Sequence, residues 1–321
     1  MVQRVQFTSE RAGPGSHERG SMVASAQGAL GMVFVGGSVA VSALLVDAPM
    51  HTAQAARYLL ACLLIAGWAR LRGVRVHRPT GTEWAWLVGV AATGLVLFNV
   101  ALVEGSKHAE PAVLAVAIAS VPIVLGILGP LLEGSRPSIR MLTAAGIVTA
   151  GAAIVHGVGR SDAGGLGWAL LVLACEAGFT LLAVPVLRRH GPVGVSIWTT
   201  AIAAAAFALI GVGFEGPTAV LRLTAPQHLA TAYLAIAVTA VAFVLWYSAV
   251  QRLGSARAGL LTGVAPVSAA LASAALVGSL PAPATWWGLA LVSGGLWIGL
   301  WPRARRTAQA RASGHLRRSS P

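Results

Sequence analysis

Ten runs of apolar residues follow one another along this chain with only short polar breaks between them. They extend from Gly28 to Val46, Ala53 to Trp68, Trp84 to Val103, Pro111 to Leu132, Met141 to Val158, Gly164 to Leu187, Val193 to Phe214, Leu229 to Val250, Ala258 to Val277 and Thr285 to Trp301. A bilayer core about 30 Å thick needs roughly 20 apolar helical residues, or about 17 with favourable flanks, and each run meets or approaches that length. One such run is compatible with a buried helix of a soluble protein. Ten in succession leave no polar face to meet water. Only 10% of the residues are charged and 56% are hydrophobic, whereas soluble domains carry about 25% charged residues. These values exclude a disordered chain, a disulfide scaffold and most soluble enzymes, and leave an all-α membrane protein. Cys62 and Cys175 each fall inside an apolar run and read as packing residues. Residues 1–22 contain no apolar core of a signal peptide, so cleavage is not expected.

A net charge of +13 would suit nucleic acid, but the positions of the charges argue against it. Of 23 basic side chains 22 are arginine, and nearly all lie in the tails or in the breaks between runs. With both tails placed inside, the inner segments hold Arg4, Arg11, Arg19, Arg70, Arg72, Arg75, Arg78, Arg136, Arg140, Arg188, Arg189, Arg252, Arg257 and the six tail arginines from Arg303 to Arg318, 19 in all. The outer segments hold three, Lys107, Arg160 and Arg222, while Arg57 lies within the second run. An odd number of spans would scramble that alternation, so the bias predicts ten spans with both termini cytoplasmic.

Sliding the sequence on itself by 144 positions lays the fourth and fifth runs over the ninth and tenth. Pro122 then meets Pro266, Gly134-Ser135 meets Gly278-Ser279, Pro137 meets Pro281 and Gly151 meets Gly295. The chain divides on this reading into a polar tail (1–25), a first five-helix repeat (26–158), a second (164–301) and a basic tail (302–321). A unit of five spans is odd, so its two copies enter the membrane in opposite senses, the architecture of alternating-access carriers. The loop after the fourth run carries Arg136 and Arg140, whereas its counterpart from Gly278 to Ala284 carries no charge. Opposite sidedness predicts that difference.

Several stretches resemble the drug/metabolite transporter superfamily in its ten-helix, EamA-type branch. Phe34-Val-Gly-Gly-Ser38 is similar to the family's Trp-Gly-Ser stretch with Gly36 in place of the usual Trp, and Arg57-Tyr58 resembles its Arg-aromatic pair. Leu245-Trp-Tyr-Ser-Ala-Val250, followed by Gly254-Ser-Ala-Arg257 and then Pro266, is like the signature of the second repeat. The glutamate that usually follows glycine between the last two helices of each repeat is Ser135 in one copy and Ser279 in the other. Glu133 is a candidate substitute in the first copy, and no role tied to those glutamates is carried over.

Glu176 is the most informative polar residue, because a charged side chain at mid-span costs about 2.5 to 3.5 kcal/mol on insertion scales. Trp168, Val172, Glu176 and Thr180 recur every four residues and share one helical face expected to point into the bundle. A proton-coupled carrier needs such an acid; the alternative is a neutral carboxyl acting as interhelical glue. In the eighth run Thr239, Phe243, Trp246, Tyr247 and Val250 share a face that suits an amphipathic solute. Trp246 is expected to anchor at the interface and Tyr247 to line the cavity. Asn99 falls on Phe243 under the repeat offset and faces either the same cavity or a neighbouring helix. Arg57 either pairs with Glu104 at an outer mouth or snorkels to headgroups. Gly37, Ser38, Pro122 and Pro266 serve gating or close helix packing.

Hydrolase, protease, P-loop and metal motifs are missing from the sequence, so no enzyme activity, cofactor or metal is expected. The reading is a secondary carrier of the inner membrane moving a small metabolite or amino-acid-like solute; outward direction and substrate class are implied by the resemblance alone. A lipid or lipid-linked-intermediate flippase and a non-transporting membrane scaffold are the alternatives. Expected partners are the solute, the bilayer with anionic headgroups at the basic tail and a second copy in a homodimer, but no nucleic acid.

Overall fold

A computed structural model describes residues 14–157, 159–277 and 283–301. The second Gly-Ser-x-Pro stretch, Gly278 to Pro281, and the basic tail from Arg303 to Arg318 lie outside the described residues. Among the described residues the chain is all-helical, without a named strand. Its segments join into ten rods: α1 (Pro14–Ser42), α2 (Met50–Leu71), α3 (Glu83–Gly105), α4 (Pro111–Leu132), α5 (Ile139–His156), α6 (Ala163–Leu181), α7 (Val184–Phe214), α8 (Ala225–Leu253), α9 (255–277) and α10 (Pro283–Leu300). Seven of them, α2 to α8, are long and apolar enough to cross a membrane. Leu63, Leu170 and Leu209 point outward, as side chains do where the solvent is lipid.

The sixth apolar run departs from expectation. It was expected to continue to Leu187, but α6 ends at Leu181 and α7 starts at Val184. Pro185 is the reason: it lacks an N–H, and its ring would clash with the carbonyl four residues back. A second break follows at Gly191, where φ is +63°. The residue before Pro192 is driven out of the helical region, and glycine reaches the left-handed side without a Cβ clash.

Other irregularities recur at the same spacing of 144 that relates the two halves of the sequence. Ala91–Leu97 in α3 and Leu234–Val241 in α8 are both wound as π-helix. Thr80 and Glu83 form a side-chain bridge before α3, with the Thr80 N–H donating to Glu83 Oε2 at 2.8 Å; Thr224 and Gln227 do the same before α8, at 3.0 Å. Ser120 breaks α4 ahead of buried Pro122, and a 3₁₀ turn at Leu261–Gly263 breaks α9 ahead of Pro266. Both prolines therefore sit in a first turn, where a missing N–H leaves no vacancy in the ladder. In space α2 packs along α7 and α5 along α10, while α1 lies on α8 and α6 on α3.

Apolar burial drives helix association weakly inside a membrane, so close backbone approach does much of the work. A Cβ at Gly151 of α5 would lie 2.7 Å from the Gly288 carbonyl of α10. Gly36 is similar: a Cβ there would collide with the Ala265 carbonyl and Ser268 hydroxyl of α9. The family's tryptophan has no room at this position. Gly37 is looser, with only the Tyr233 hydroxyl near, and Ser38 donates to the Val35 carbonyl at 2.6 Å. Gly36→Ala is expected to destabilise the protein by about 1 to 3 kcal/mol through overpacking. Gly146→Ala, where a Cβ meets nothing within 4 Å, should be neutral or stabilising by up to about 1 kcal/mol. Thermal unfolding of both variants in detergent checks the contrast.

Candidate functional site

Gln54, Arg57 and Tyr58 stand at i, i+3 and i+4 on α2 and so share one face. Across from them α3 presents Asn99 and α8 presents Thr239. Gln54 donates to Asn99 Oδ1 at 2.8 Å, and Asn99 Nδ2 donates to the Tyr58 hydroxyl at 3.0 Å and to the Leu95 carbonyl. Arg57 Nε donates to Thr239 Oγ1 at 2.8 Å, and Nη1 reaches Gln54 Oε1 at 3.4 Å. Both π stretches feed this cluster. Thr239 lies within one and donates to the Leu234 carbonyl five residues back, at 3.0 Å; Asn99 follows the other. Wide turns of this kind expose backbone carbonyls that side chains can satisfy, and they recur at functional sites.

Arg57 forms no ion pair with a carboxylate among the described residues. Its expected partner Glu104 is bound instead to Lys107, three residues on in the turn that follows α3, at 2.7 Å. The guanidinium turns sideways to α8 and lies 5.2 Å from the centre of the Tyr58 ring. With Leu45, Met50, Ala53, Gln54, Thr231 and Leu234 it lines a cavity of about 40 Å³. That volume holds a few waters at most.

A second group faces the bundle from α6 and α8. Trp246 is 3% exposed and its indole N–H donates to Thr180 Oγ1 at 3.1 Å, so it is not an interface anchor. A buried indole needs such an acceptor, and only the tertiary fold brings Thr180 to it. Tyr247 is fully buried, its hydroxyl on the Phe179 carbonyl at 3.2 Å, and its ring packs with those of Phe179 and Phe243 rather than lining open space. Trp168 belongs elsewhere: it packs with Ala101, Leu114 and Val172 against α3. The aromatic neighbour of Thr180 is thus Trp246. Glu176 is half-buried, and its carboxylate accepts no hydrogen bond among the described residues. Gln54 went unnoticed in the sequence, although an amide three residues before an intramembrane arginine was a usable signal.

Residues 24–157 and 163–301 each match the profile of the EamA-like transporter family. The chain belongs to the EamA-like transporter family. It is 27% identical over 256 residues to the uncharacterized transporter YwfM of Bacillus subtilis (strain 168), covering 77% of this chain and 85% of that protein. The uncharacterized transporter YetK of the same organism is 28% identical over 288 residues, 84% of each chain. A probable terminal-alkyne amino-acid exporter of Streptantibioticus cattleyicolor is 28% identical over 231 residues, 70% of this chain and 73% of its own. A crystal structure of another protein shares the fold at a TM-score of 0.72 and 20% identity, covering 86% of this chain and 96% of that one.

In this EamA-like chain three carboxylates tie helix ends to other helices. Glu215, just past α7, accepts the N–H groups of His51 and Thr52 at 2.9 Å each, the Thr52 hydroxyl at 2.6 Å and His51 Nδ1 at 3.0 Å. It thereby caps the start of α2 from another helix, where the free N–H groups and the helix dipole favour an anion. Met50 and Ala53, which line the Arg57 cavity, flank this cap. Glu83 at the start of α3 meets Arg189 of α7 at 2.9 Å, and Glu133, just past α4, accepts the Ser255 N–H and hydroxyl at 2.9 and 2.7 Å. Glu133 thus holds the start of α9, an acid where the Gly-Ser loop itself has none.

Burial pushes the Glu215 carboxyl up, but the bonds from Thr52 and His51 outweigh it and hold the group below the usual carboxylate range. A depressed carboxylate stabilises the fold at neutral pH, and that contribution disappears as pH falls through the folded-state value. Glu215→Ala is expected to cost about 1 to 3 kcal/mol near pH 7 by stranding these donors. The gap from the native protein should close on acidification below the carboxylate range. Melting curves of both proteins across that range check the sign.

Proposed function

We propose that this transporter is a secondary carrier of the inner membrane that exports a small, amino-acid-like solute by alternating access. It is a ten-span, two-repeat machine with inverted halves and both termini in the cytoplasm. The observation that carries this reading is Arg57, a guanidinium with no carboxylate partner among the described residues, turned into a cavity within the bundle. Intramembrane charges of this kind mark substrate paths. The inverted halves are supported by the π stretches, side-chain bridges and proline breaks that recur at one spacing, and by the reciprocal packing of α1 on α8 and α6 on α3. The name of the S. cattleyicolor relative supports both the outward direction and the solute class. The solute site is the cavity at Arg57, beside the cluster of Gln54, Asn99 and Thr239.

A flippase needs a polar lateral path for headgroups. The groove between α2 and α8, about 380 Å³ and lined by Leu64, Ile65, Trp68, Ile236, Ala240, Val241, Val244 and Leu245, carries no charged residue, which favours the solute.

The topology is tested by reporters. Fusions after Asp162 and Arg222 are expected to report outside, and those after Arg75, Arg189 and Arg306 inside. A cytoplasmic signal after Asp162 breaks the inverted arrangement.

Glu176 is the proposed coupling acid, protonated in one facing state and released in the other. Glu176→Gln should abolish solute accumulation driven by a pH gradient in proteoliposomes while sparing counterflow exchange. If Glu176 has only a packing role, the neutral amide serves equally and pH-driven accumulation persists.

A further inference from the structure

We infer that Arg57 is the anchor for a carboxylate on the transported solute, so that the substrate class is a small organic acid with a short apolar substituent. This rests on the carrier reading above. An arginine stays protonated at any physiological pH, so it cannot escape the cost of burial by losing its charge, as a lysine does. Its neighbours also do not neutralise it. Thr239 and Gln54 are neutral, and Tyr58 offers only a ring face. Three acids at span ends are committed elsewhere, Glu104 to Lys107, Glu110 to Arg160 and Glu215 to the start of α2, and Asp47, between the cavity-lining Leu45 and Met50, is exposed and forms no ion pair among the described residues.

Those neutral contacts still set the direction of the fork. Nε is fixed on Thr239 at 2.8 Å, Nη1 makes only the long contact to Gln54, and Nη2 donates to no acceptor among the described residues. A guanidinium held by one edge presents the other as a planar pair of donors, the geometry that matches a carboxylate in two parallel hydrogen bonds. Around that edge, Leu45, Met50, Ala53 and Leu234 form an apolar wall, while Thr231 and Gln54 add polar atoms. Such a lining fits a carboxylate joined to a short apolar chain. Because the cavity is about 40 Å³, the solute must widen it on binding.

A lipid phosphate offers the same oxyanion chemistry, since Arg57 lies about 10 Å along α2 from its first residue. The lateral orientation toward α8 favours the solute, and the test separates the two. Unfolding of the purified full chain in detergent is followed by its tryptophan fluorescence with L-leucine, L-norvaline and isovalerate, with the matching amides leucinamide, norvalinamide and isovaleramide, and with dihexanoylphosphatidylglycerol. Labelled leucine counterflow in proteoliposomes is measured alongside.

The acids are expected to stabilise the native protein and the amides to bind at least about tenfold more weakly, the loss of roughly one charge-assisted bond. Arg57→Gln should erase the preference for acid over amide. Arg57→Lys, which keeps the charge but not the fork, should bind the acids about tenfold more weakly and so guards against a variant that fails to fold. Counterflow with equal binding of acids and amides overturns the inference and leaves the carrier reading standing. Stabilisation by the phospholipid alone overturns it in favour of a headgroup site. Neither binding nor counterflow with any acid overturns the carrier reading, and the inference falls with it.

Discussion

The hydrocarbon interior supplies no hydrogen bonds, and every other feature of this chain follows from how its polar groups meet that condition. A helix satisfies its own backbone, so the chain crosses lipid as helices. Wherever the ladder is interrupted, something inside the protein takes over. The π stretch of α8 is closed by the Thr239 hydroxyl on the Leu234 carbonyl, and the break at Ser120 is closed by its own side chain on the Val116 carbonyl at 2.9 Å. The start of α2 is closed by Glu215, 164 residues away from His51. These interruptions are buried in the bundle, where irregular backbone is tolerated.

The same condition separates structural from functional polar groups. Asn99 is divided among Gln54, Tyr58 and the Leu95 carbonyl, and Trp246 is matched to Thr180. Each of these is accounted for without a ligand. Arg57 and Glu176 are different, since neither has an ionic partner among the described residues and a charge of either sign is expensive in this setting. Closely packed glycines such as Gly36 and Gly151 set the distances between rods. A carrier built on backbone contact can move its rods as bodies without exposing large apolar surfaces to water, because the medium beside them is lipid.

Placing the irregularities in two halves gives the bundle a simple logic. The rods that pair with their own counterparts, α2 with α7 and α5 with α10, form contacts that any twofold relation between halves leaves in place. The rods that pair across, α1 with α8 and α6 with α3, carry the residues with unusual chemistry: Glu176 and Thr180 on α6, Asn99 on α3, Thr239 and the aromatics on α8. One end of the α2–α7 pair is closed by Glu215, and α7 is joined to α3 by Glu83 and Arg189.

What the sequence determined alone were the properties that depend on neighbours along the chain. Apolar run length, arginine in the breaks and the spacing of 144 residues are one-dimensional signals from which the helical character could be read, and the family resemblance rested on the short motifs around Gly36, Arg57 and Tyr247. Even there a local rule was overlooked, since Pro185 ends α6 for reasons visible in the sequence. Identifying which polar groups are satisfied was not possible at that level. Arg57 meets Thr239 across 182 residues, Tyr247 meets Phe179 across 68, and Glu215 meets Thr52 across 163. No periodicity encodes such pairs, because they are made by packing between rods whose rotation and depth depend on all their contacts at once. The tertiary structure therefore decided that Trp246 is core, that Arg57 turns to Thr239 of α8, and which charges have no ionic partner among the described residues.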